Sequence, residues 1–351
     1  MRTATAALLA AALLAVPPAH AQTPAAGQAV APRPGGTVEA IRARDTLRCG
    51  VQGPTNPGFG APDSQGVWRG FNVDLCRAVA ATVLGDAEKI AIVPLSTQAR
   101  FPALQSGEID VATNSTTYTM QRETQLGFSY AAVVFYDGQG IMVRKASGVD
   151  SATQLDGATI CVPPGTTTEL QLNDWFRAHR MKFNPIVMEA REELTRTYAV
   201  GRCDAITYDT TILFSQRSTL ADPEAHVILS DRLSKEPLGI VVRKGDERFA
   251  DMVRWSFYAL VNAEELGVTR ANVRDMLKNP DPQVRRLLGV DGGLGKGMGS
   301  TDDFAMRVIS AVGNYGEVFE RNLGKDSPMK IERGMNRLWK DGGILYAPPI
   351  R

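Results

Sequence analysis

Gly107-Glu108-Ile109-Asp110-Val111-Ala112 and, in the second half of the chain, Gly201-Arg202-Cys203-Asp204-Ala205-Ile206 follow one pattern. Each comes after a helical stretch and opens a strand. Each strand ends in a polar run, Thr113-Asn114-Ser115-Thr116-Thr117 in the first half and Thr207-Tyr208-Asp209-Thr210-Thr211 in the second. Six residues alone could match by coincidence. Their shared context points to two similar α/β lobes.

Outward from the first repeat, strands are expected at 46–51, 89–95 and 109–113, with helices at 72–84 and 97–106. Val73, Leu75, Cys76, Val79, Ala80 and Val83 recur with helical period. Around the second repeat, strands are expected at 158–162, 185–188 and 203–208, with helices at 168–180 and 190–200. Strands alternating with helices imply parallel sheets with right-handed crossovers. Between the halves, residues 131–143 read as an extended connector around Asp137-Gly138-Gln139-Gly140. A return strand is expected at 238–243, and the remainder reads as helical at 246–266, 269–278, 282–288, 302–323 and 331–340. The expected fold is therefore α/β and two-lobed, each lobe a mainly parallel sheet flanked by helices, with extra C-terminal helices. Lobe 1 comprises 37–138 plus 244–351 and lobe 2 comprises 139–243, with hinges near Gln139 and Leu238. Ligands of open parallel sheets sit beyond the carboxyl ends of the strands, where both polar runs lie.

The first 21 residues read as an export signal: Arg2, an apolar run from Ala6 to Val16, then Ala19-His20-Ala21. The run is too short to span a bilayer. Cleavage is expected after Ala21, and Gln22 in place of Cys argues against a lipid anchor. Residues 22–36, rich in Ala, Pro and Gly, read as a flexible leader. The expected location is the periplasm. In that oxidising compartment Cys49, Cys76, Cys161 and Cys203 can form disulfides, for which three connectivities exist. The pairing 49–76 and 161–203 keeps each bond inside one lobe and is the expected one; four buried thiols are the alternative.

With 39 Lys and Arg against 38 Asp and Glu, the chain lacks the basic excess that nucleic-acid binding requires. Only three histidines occur, and no C-x-x-C spacing, so metal sites and Ser-His-Asp catalysis are not expected. No cofactor is expected. The run Gly292-Gly293-Leu294-Gly295-Lys296-Gly297 lacks the first Gly and the Ser/Thr of a phosphate loop and reads as a flexible loop.

The stretch Thr117-Tyr118-Thr119-Met120-Gln121-Arg122 carries more information. Thr119 is placed to cap a helix, and Arg122 falls in that helix's first turn. A cation there opposes the helix dipole unless it meets an anion, and a guanidinium beside free N–H groups suits a carboxylate. The bland reading pairs Arg122 with Glu123 or Asp110. Pro164-Gly165-Thr166-Thr167 opens another helix, where ordinary capping competes with anion binding. Asp209 at its strand end suits an ammonium group, and helix capping is its competing role.

These residues resemble the periplasmic binding proteins of polar amino-acid ABC importers, above all their longer general L-amino-acid branch. The first lobe carries Gly70-Phe71-Asn72-Val73-Asp74-Leu75, Leu104-x-Ser106-Gly107-x-Ile109-Asp110, the Thr117–Arg122 stretch and Phe128-Ser129-Tyr130. The second carries Gly165-Thr166-Thr167 and Cys203-Asp204-Ala205-x-x-x-Asp209. The general branch is carried by Tyr136-Asp137-Gly138-Gln139-Gly140, Ser234-Lys235-Glu236-Pro237-Leu238-Gly239, Ala259-Leu260-x-Asn262-Ala263-Glu264-Glu265 and Arg333-Gly334-Met335-Asn336. Gln121 replaces the family's usual Glu, and Asn72 its usual Asp.

The resemblance implies a Venus flytrap fold that closes on a free L-amino acid and delivers it to inner-membrane ABC permease subunits, as a monomer. It implies that Arg122, helped by Thr119 and Thr167, binds the α-carboxylate. Ser115, Thr117 and Asp209 would bind the α-ammonium, and loop 50–60 would flank the side chain. Hydroxyl-rich walls favour breadth, with polar or acidic amino acids first. The rival class is a periplasmic enzyme on the same fold, such as a cyclohexadienyl dehydratase-like lyase, with Glu169 or Glu236 as its acid. A receptor's ligand sensor ranks last, since no anchor or DNA-binding pattern is read after the lobes.

Overall fold

The computed structural model describes residues 36–351 apart from 54, 55 and 326. The expected signal peptide, its cleavage site and the leader before Gly36 lie outside the described residues. Among those described, no helix is long and apolar enough to cross a membrane.

The chain enters through helix α1 (Gly36–Arg44) and strand β1 (Leu47–Gln52). A small hairpin of β2 (Ala61–Pro62) and β3 (Trp68–Arg69) precedes α2 (Phe71–Leu84). Then come β4 (Ile90–Leu95), α3 (Arg100–Ser106), β5 (Val111–Thr117), α4 (Met120–Thr124) and β6 (Phe128–Asp137). The second lobe runs β7 (Gln139–Arg144), β8 (Thr159–Val162), α5 (Thr167–Ala178), β9 (Asn184–Val187), α6 (Arg191–Ala199), β10 (Ala205–Asp209), α7 (Thr210–Ser218) and β11 (His226–Ile228). Strand β12 (Glu236–Arg243) leads back to α8 (Glu247–Glu265), α9 (Pro282–Leu287), α10 (Leu294–Gly297), α11 (Phe304–Val312) and α12 (Tyr315–Asn322).

Two five-stranded sheets result, ordered β4-β1-β5-β12-β6 and β11-β7-β10-β8-β9. Each has a parallel core, β4-β1-β5 in one and β9-β8-β10 in the other, flanked by antiparallel strands. Read from the β4 and β9 edges, the sheets share one layout, as the repeated hexapeptides imply. Their central strands β5 and β10 are the ones the repeats open. The 131–143 connector is strand on both sides of Gly138, β6 in one sheet and β7 in the other.

The lobe boundary 139–243 placed Glu236–Arg243 with the second lobe. Its hydrogen bonds instead lie in the first sheet, antiparallel to β5 and β6, so the second crossing precedes Glu236. An isolated apolar run cannot reveal its partners, because a strand pairs through backbone groups common to all sequences.

Helix α2 buries every periodic residue named above, Val83 included at 4% exposure. Gly70 before it sits at φ 135°, and a Cβ there would stand 2.4 Å from the Phe59 backbone, so this position demands glycine. The C-terminal helices complete lobe 1. Phe71 meets Phe135 at 6.0 Å and Tyr315 at 5.8 Å, both edge-to-face, tying α2, β6 and α12 into one core. The expected 302–323 helix is two helices, because Gly313 turns at φ 83° and Asn314 starts α12 through a capping box with Glu317. Of 269–278 only a 3₁₀ turn, Asp275–Lys278, is helical, and 331–340 holds only two such turns. The glycine run at 292–297 includes the one-turn α10 rather than only loop.

Cys49 is bonded to Cys76 and Cys161 to Cys203, each pair within one lobe, with Cα separations of 6.2 and 5.7 Å. Each bond joins the first strand of a sheet's parallel core to a neighbouring element. Both are fully buried, and closing loops of this length stabilises a fold by about 2–4 kcal/mol each. Reduction is expected to lower the melting temperature by several degrees per bond. Calorimetry with and without reductant, beside non-reducing peptide maps, checks this. Recovery of a cross-lobe linkage, or unchanged melting after complete reduction, would contradict it.

Candidate functional site

The cleft is built from strand ends and helix starts. Strand β5 ends at Ser115-Thr116-Thr117, where Ser115 takes φ 49° and turns its hydroxyl toward Asn72, whose Nδ2 donates at 3.3 Å. A non-glycine residue in that left-handed region costs on the order of 1 kcal/mol and marks a strand end shaped by something other than regular pairing. Asn72 supports that turn as a donor.

Thr119 caps α4 by accepting from the Arg122 N–H at 3.3 Å. Arg122 is buried; its Nη1 donates to the Thr117 carbonyl at 2.7 Å and its guanidinium lies 5.4 Å from the Phe101 ring centre. It pairs with neither bland partner. Asp110 is held by Arg44 and by the Arg48 N–H, and Glu123 accepts from the Tyr118 hydroxyl. In lobe 2, Thr166 does the capping of α5, accepting from Glu169 N–H at 3.1 Å. That releases Thr167, whose hydroxyl lies 3.4 Å from the Thr117 hydroxyl across the cleft.

Asp209 occupies the capping position of α7 but makes no capping hydrogen bond. The role is taken across the hinge by Asp137, whose Oδ2 accepts from the Thr211 N–H at 3.1 Å and the Thr211 hydroxyl at 2.6 Å. Asp209 is left buried, 8% exposed. Burial pushes its carboxyl well above the usual range, with Glu236 and Asp137 adding repulsion while Arg100 and Arg122 oppose it. Burial likewise raises Asp137 to about 6.

Between the lobes lies a narrow cavity of about 30 Å³. Ser115, Thr117, Thr167 and Asp209 all line it. Thr119 and Arg122 do not, standing one layer behind. Sequence reasoning missed two cations in its wall, Arg100 and Arg191. Arg100 is 5% exposed and its Nε has no partner among the described residues. Burial and the neighbouring Arg122 bring its pKa down to about 9, with Asp209 pulling the other way. Both arginines open helices, α3 and α6, so the argument that singled out Arg122 in α4 would have found them too. From the loop at 50–60, Gln52 lines the cavity, whereas Phe59 packs on Phe71 in the lobe 1 core.

The lobes touch around this cavity. Ser96 donates to Glu189 at 3.2 Å, Gln98 Nε2 to the Pro164 carbonyl at 2.9 Å, and Ser215 to the Pro57 carbonyl at 3.0 Å. Glu236, at the start of β12, accepts from Thr117 of lobe 1 at 2.5 Å, from Thr167 of lobe 2 at 3.2 Å and from Ser234. Glu169, the other acid considered for an enzyme, accepts the Gly165 N–H at 2.7 Å. No cluster of metal-ligating side chains occurs among the described residues.

A polar cleft with a carboxyl from one lobe and arginines beside it offers partners for both charges of a small zwitterion. Known proteins of like sequence are named as amino-acid binders. General L-amino acid-binding periplasmic protein AapJ of Rhizobium johnstonii is 50% identical over 90% of this chain and 93% of its own. The glutamate/glutamine/aspartate/asparagine-binding protein BztA of Rhodobacter capsulatus is also 50% identical, with the same coverage. A solved periplasmic binding protein of an ABC transporter from Brucella ovis, with glutathione bound, superposes with a TM-score of 0.88 at 48% identity, covering 90% of this chain and 99% of that one. The profile of bacterial extracellular solute-binding proteins, family 3, matches residues 47–283. With the fold, the cleft and these relatives in agreement, the chain belongs to family 3 of the bacterial extracellular solute-binding proteins.

Proposed function

We propose that this protein binds free L-amino acids in the periplasm and delivers them to the inner-membrane permease subunits of an ABC importer. The observation that carries the reading is Asp209: a buried carboxylate from lobe 2 with no structural partner, facing arginines from lobe 1. Its α-ammonium partner would come from the ligand. Arg122 is assigned the α-carboxylate, with Thr119 and Thr167 beside it, and Ser115 and Thr117 assist at the ammonium. Arg100 and Arg191 leave room for an acidic or amide side chain, in keeping with the names of the relatives. The glutamyl end of the glutathione held by the Brucella ovis relative carries the same free α-ammonium and α-carboxylate. The mature protein starts at Gln22 after cleavage behind Ala21, acts as a monomer and performs no chemistry. Against the lyase reading, Glu236 accepts from three hydroxyls and Glu169 from a backbone N–H, so neither stands unengaged at the cleft.

Native mass spectrometry of the purified protein is expected to find amino acids bound and unaltered. After their removal, adding glutamate or glutamine should shrink the radius seen by X-ray scattering, as hinges at 138 and 235 swing the lobes together. Saturated ligand with an unchanged radius would overturn the closure, and a converted ligand would restore the lyase.

A further inference from the structure

The cavity is not sealed. Gln52, Thr97 and Arg191 also line an open hollow of about 340 Å³ beside it. Its other walls are Gly53 and residues 94–96 from lobe 1 and residues 189, 190 and 192 from lobe 2. Ser115, Thr117, Thr167 and Asp209, assigned to the head of the ligand, line only the inner cavity. The head is therefore held deep, and the mouth stands where the side chain ends.

The chemistry at the mouth favours a particular side-chain end. The buried Gln52 Oε1 and Arg191 Nε both lack partners among the described residues, one an acceptor and the other a donor. A carboxylate would answer Arg191 and leave Gln52 Oε1 without a donor. An amide answers both, its C=O accepting from Arg191 and its N–H donating to Gln52. A secondary amide still has that N–H, and whatever its nitrogen carries would enter the hollow without prising the lobes apart.

We propose that the hollow walled by Gly53 and Ala190 is a second subsite, which takes the tail of γ-linked glutamyl peptides whose glutamyl head occupies the inner cavity. The proposal rests on the amino-acid reading of that cavity. An α-linked peptide is excluded, because its glutamyl residue has lost the free α-carboxylate.

The test is calorimetry with glutamine, γ-glutamylglycine and α-glutamylglycine. Gly53 lies outside the left-handed region, and a Cβ there meets nothing within 4 Å, so Gly53→Phe places a ring in the hollow without a backbone clash. Ala190→Trp obstructs it from the other lobe. Wild type is expected to bind γ-glutamylglycine within about tenfold of glutamine and α-glutamylglycine not at all. Each folded variant should weaken γ-glutamylglycine by tenfold or more and leave glutamine within about twofold. Glutamine binding without γ-glutamylglycine binding would overturn the subsite alone. So would variants that weaken both ligands equally or neither. Failure of every free amino acid to bind would instead remove the functional reading beneath it.

Discussion

Asp209→Ala and Arg122→Ala are each expected to weaken all α-amino acids together, by about 2–5 kcal/mol, or 30-fold to several thousand-fold. The two charges come from opposite lobes, one at the end of β10 and the other in α4. Every α-amino acid offers the matching pair, so the loss should not depend on side chain. Much of the effect is the cost of leaving the ligand's own charge buried without a partner. The ligand-free protein should tolerate Asp209→Ala, since α7 is capped by Asp137 and a carboxyl in a repulsive setting is removed. A lower melting point for that variant without ligand would return Asp209 to a capping role. Parental affinity in both folded variants would mean that the site lies elsewhere.

The same carboxyl sets a dependence on pH. Asp209 and Asp137 are both raised in the folded protein, so the fold holds their protons more tightly than the unfolded chain does. Their contribution to stability is present below the ordinary value of 3.8 and is lost as pH rises through the folded values, about 6 for Asp137. A ligand ammonium favours the Asp209 carboxylate and expels its proton. Binding above the ordinary carboxyl range should therefore release protons, and affinity should fall as pH is lowered through the raised Asp209 value. Calorimetry in buffers of different ionisation heat measures the release. Asp209→Asn should abolish it, and release persisting in that variant would move the titration to another group.

Arg100→Gln is expected to divide the ligands. Glutamate and aspartate should lose about 2–5 kcal/mol of binding while glutamine and asparagine lose far less. Arg100 is a buried cation in the cavity wall, brought down to about 9, with a free Nε. A side-chain carboxylate would relieve its desolvation as well as its repulsion by Arg122. Glutamine at 100 retains an amide that can donate to a neutral side chain but brings no charge. Titrations with the four amino acids decide the matter. Equal losses for all four would make Arg100 rather than Arg122 the partner of the α-carboxylate, which Arg122's place behind the cavity wall makes a concrete alternative.

The family, the two lobes and the hydroxyl-rich strand ends were legible in order and period along the chain. Helical burial repeats every three or four residues, and strand ends announce themselves by a change of polarity. Both are local signals, as Val73 to Val83 and Thr113 to Thr117 illustrate. The first-turn cation signal was local too, and it applied equally to Arg122, Arg100 and Arg191. What separates these three is which helix starts converge on the cavity, and only the packed lobes decide that. Strand β12 joined the first sheet rather than the second because strand pairing draws on backbone groups that no side chain labels. The freedom of Asp209 was likewise beyond local reading. Its neighbours Thr210 and Thr211 make it look like a cap, and it is not one because Asp137, distant in sequence, reaches α7 through the hinge. Residues close along the chain were thus readable from the sequence by itself. The charges that meet across the cleft are set by tertiary structure, since desolvation and Coulomb energy depend on distances that exist only once the lobes have packed.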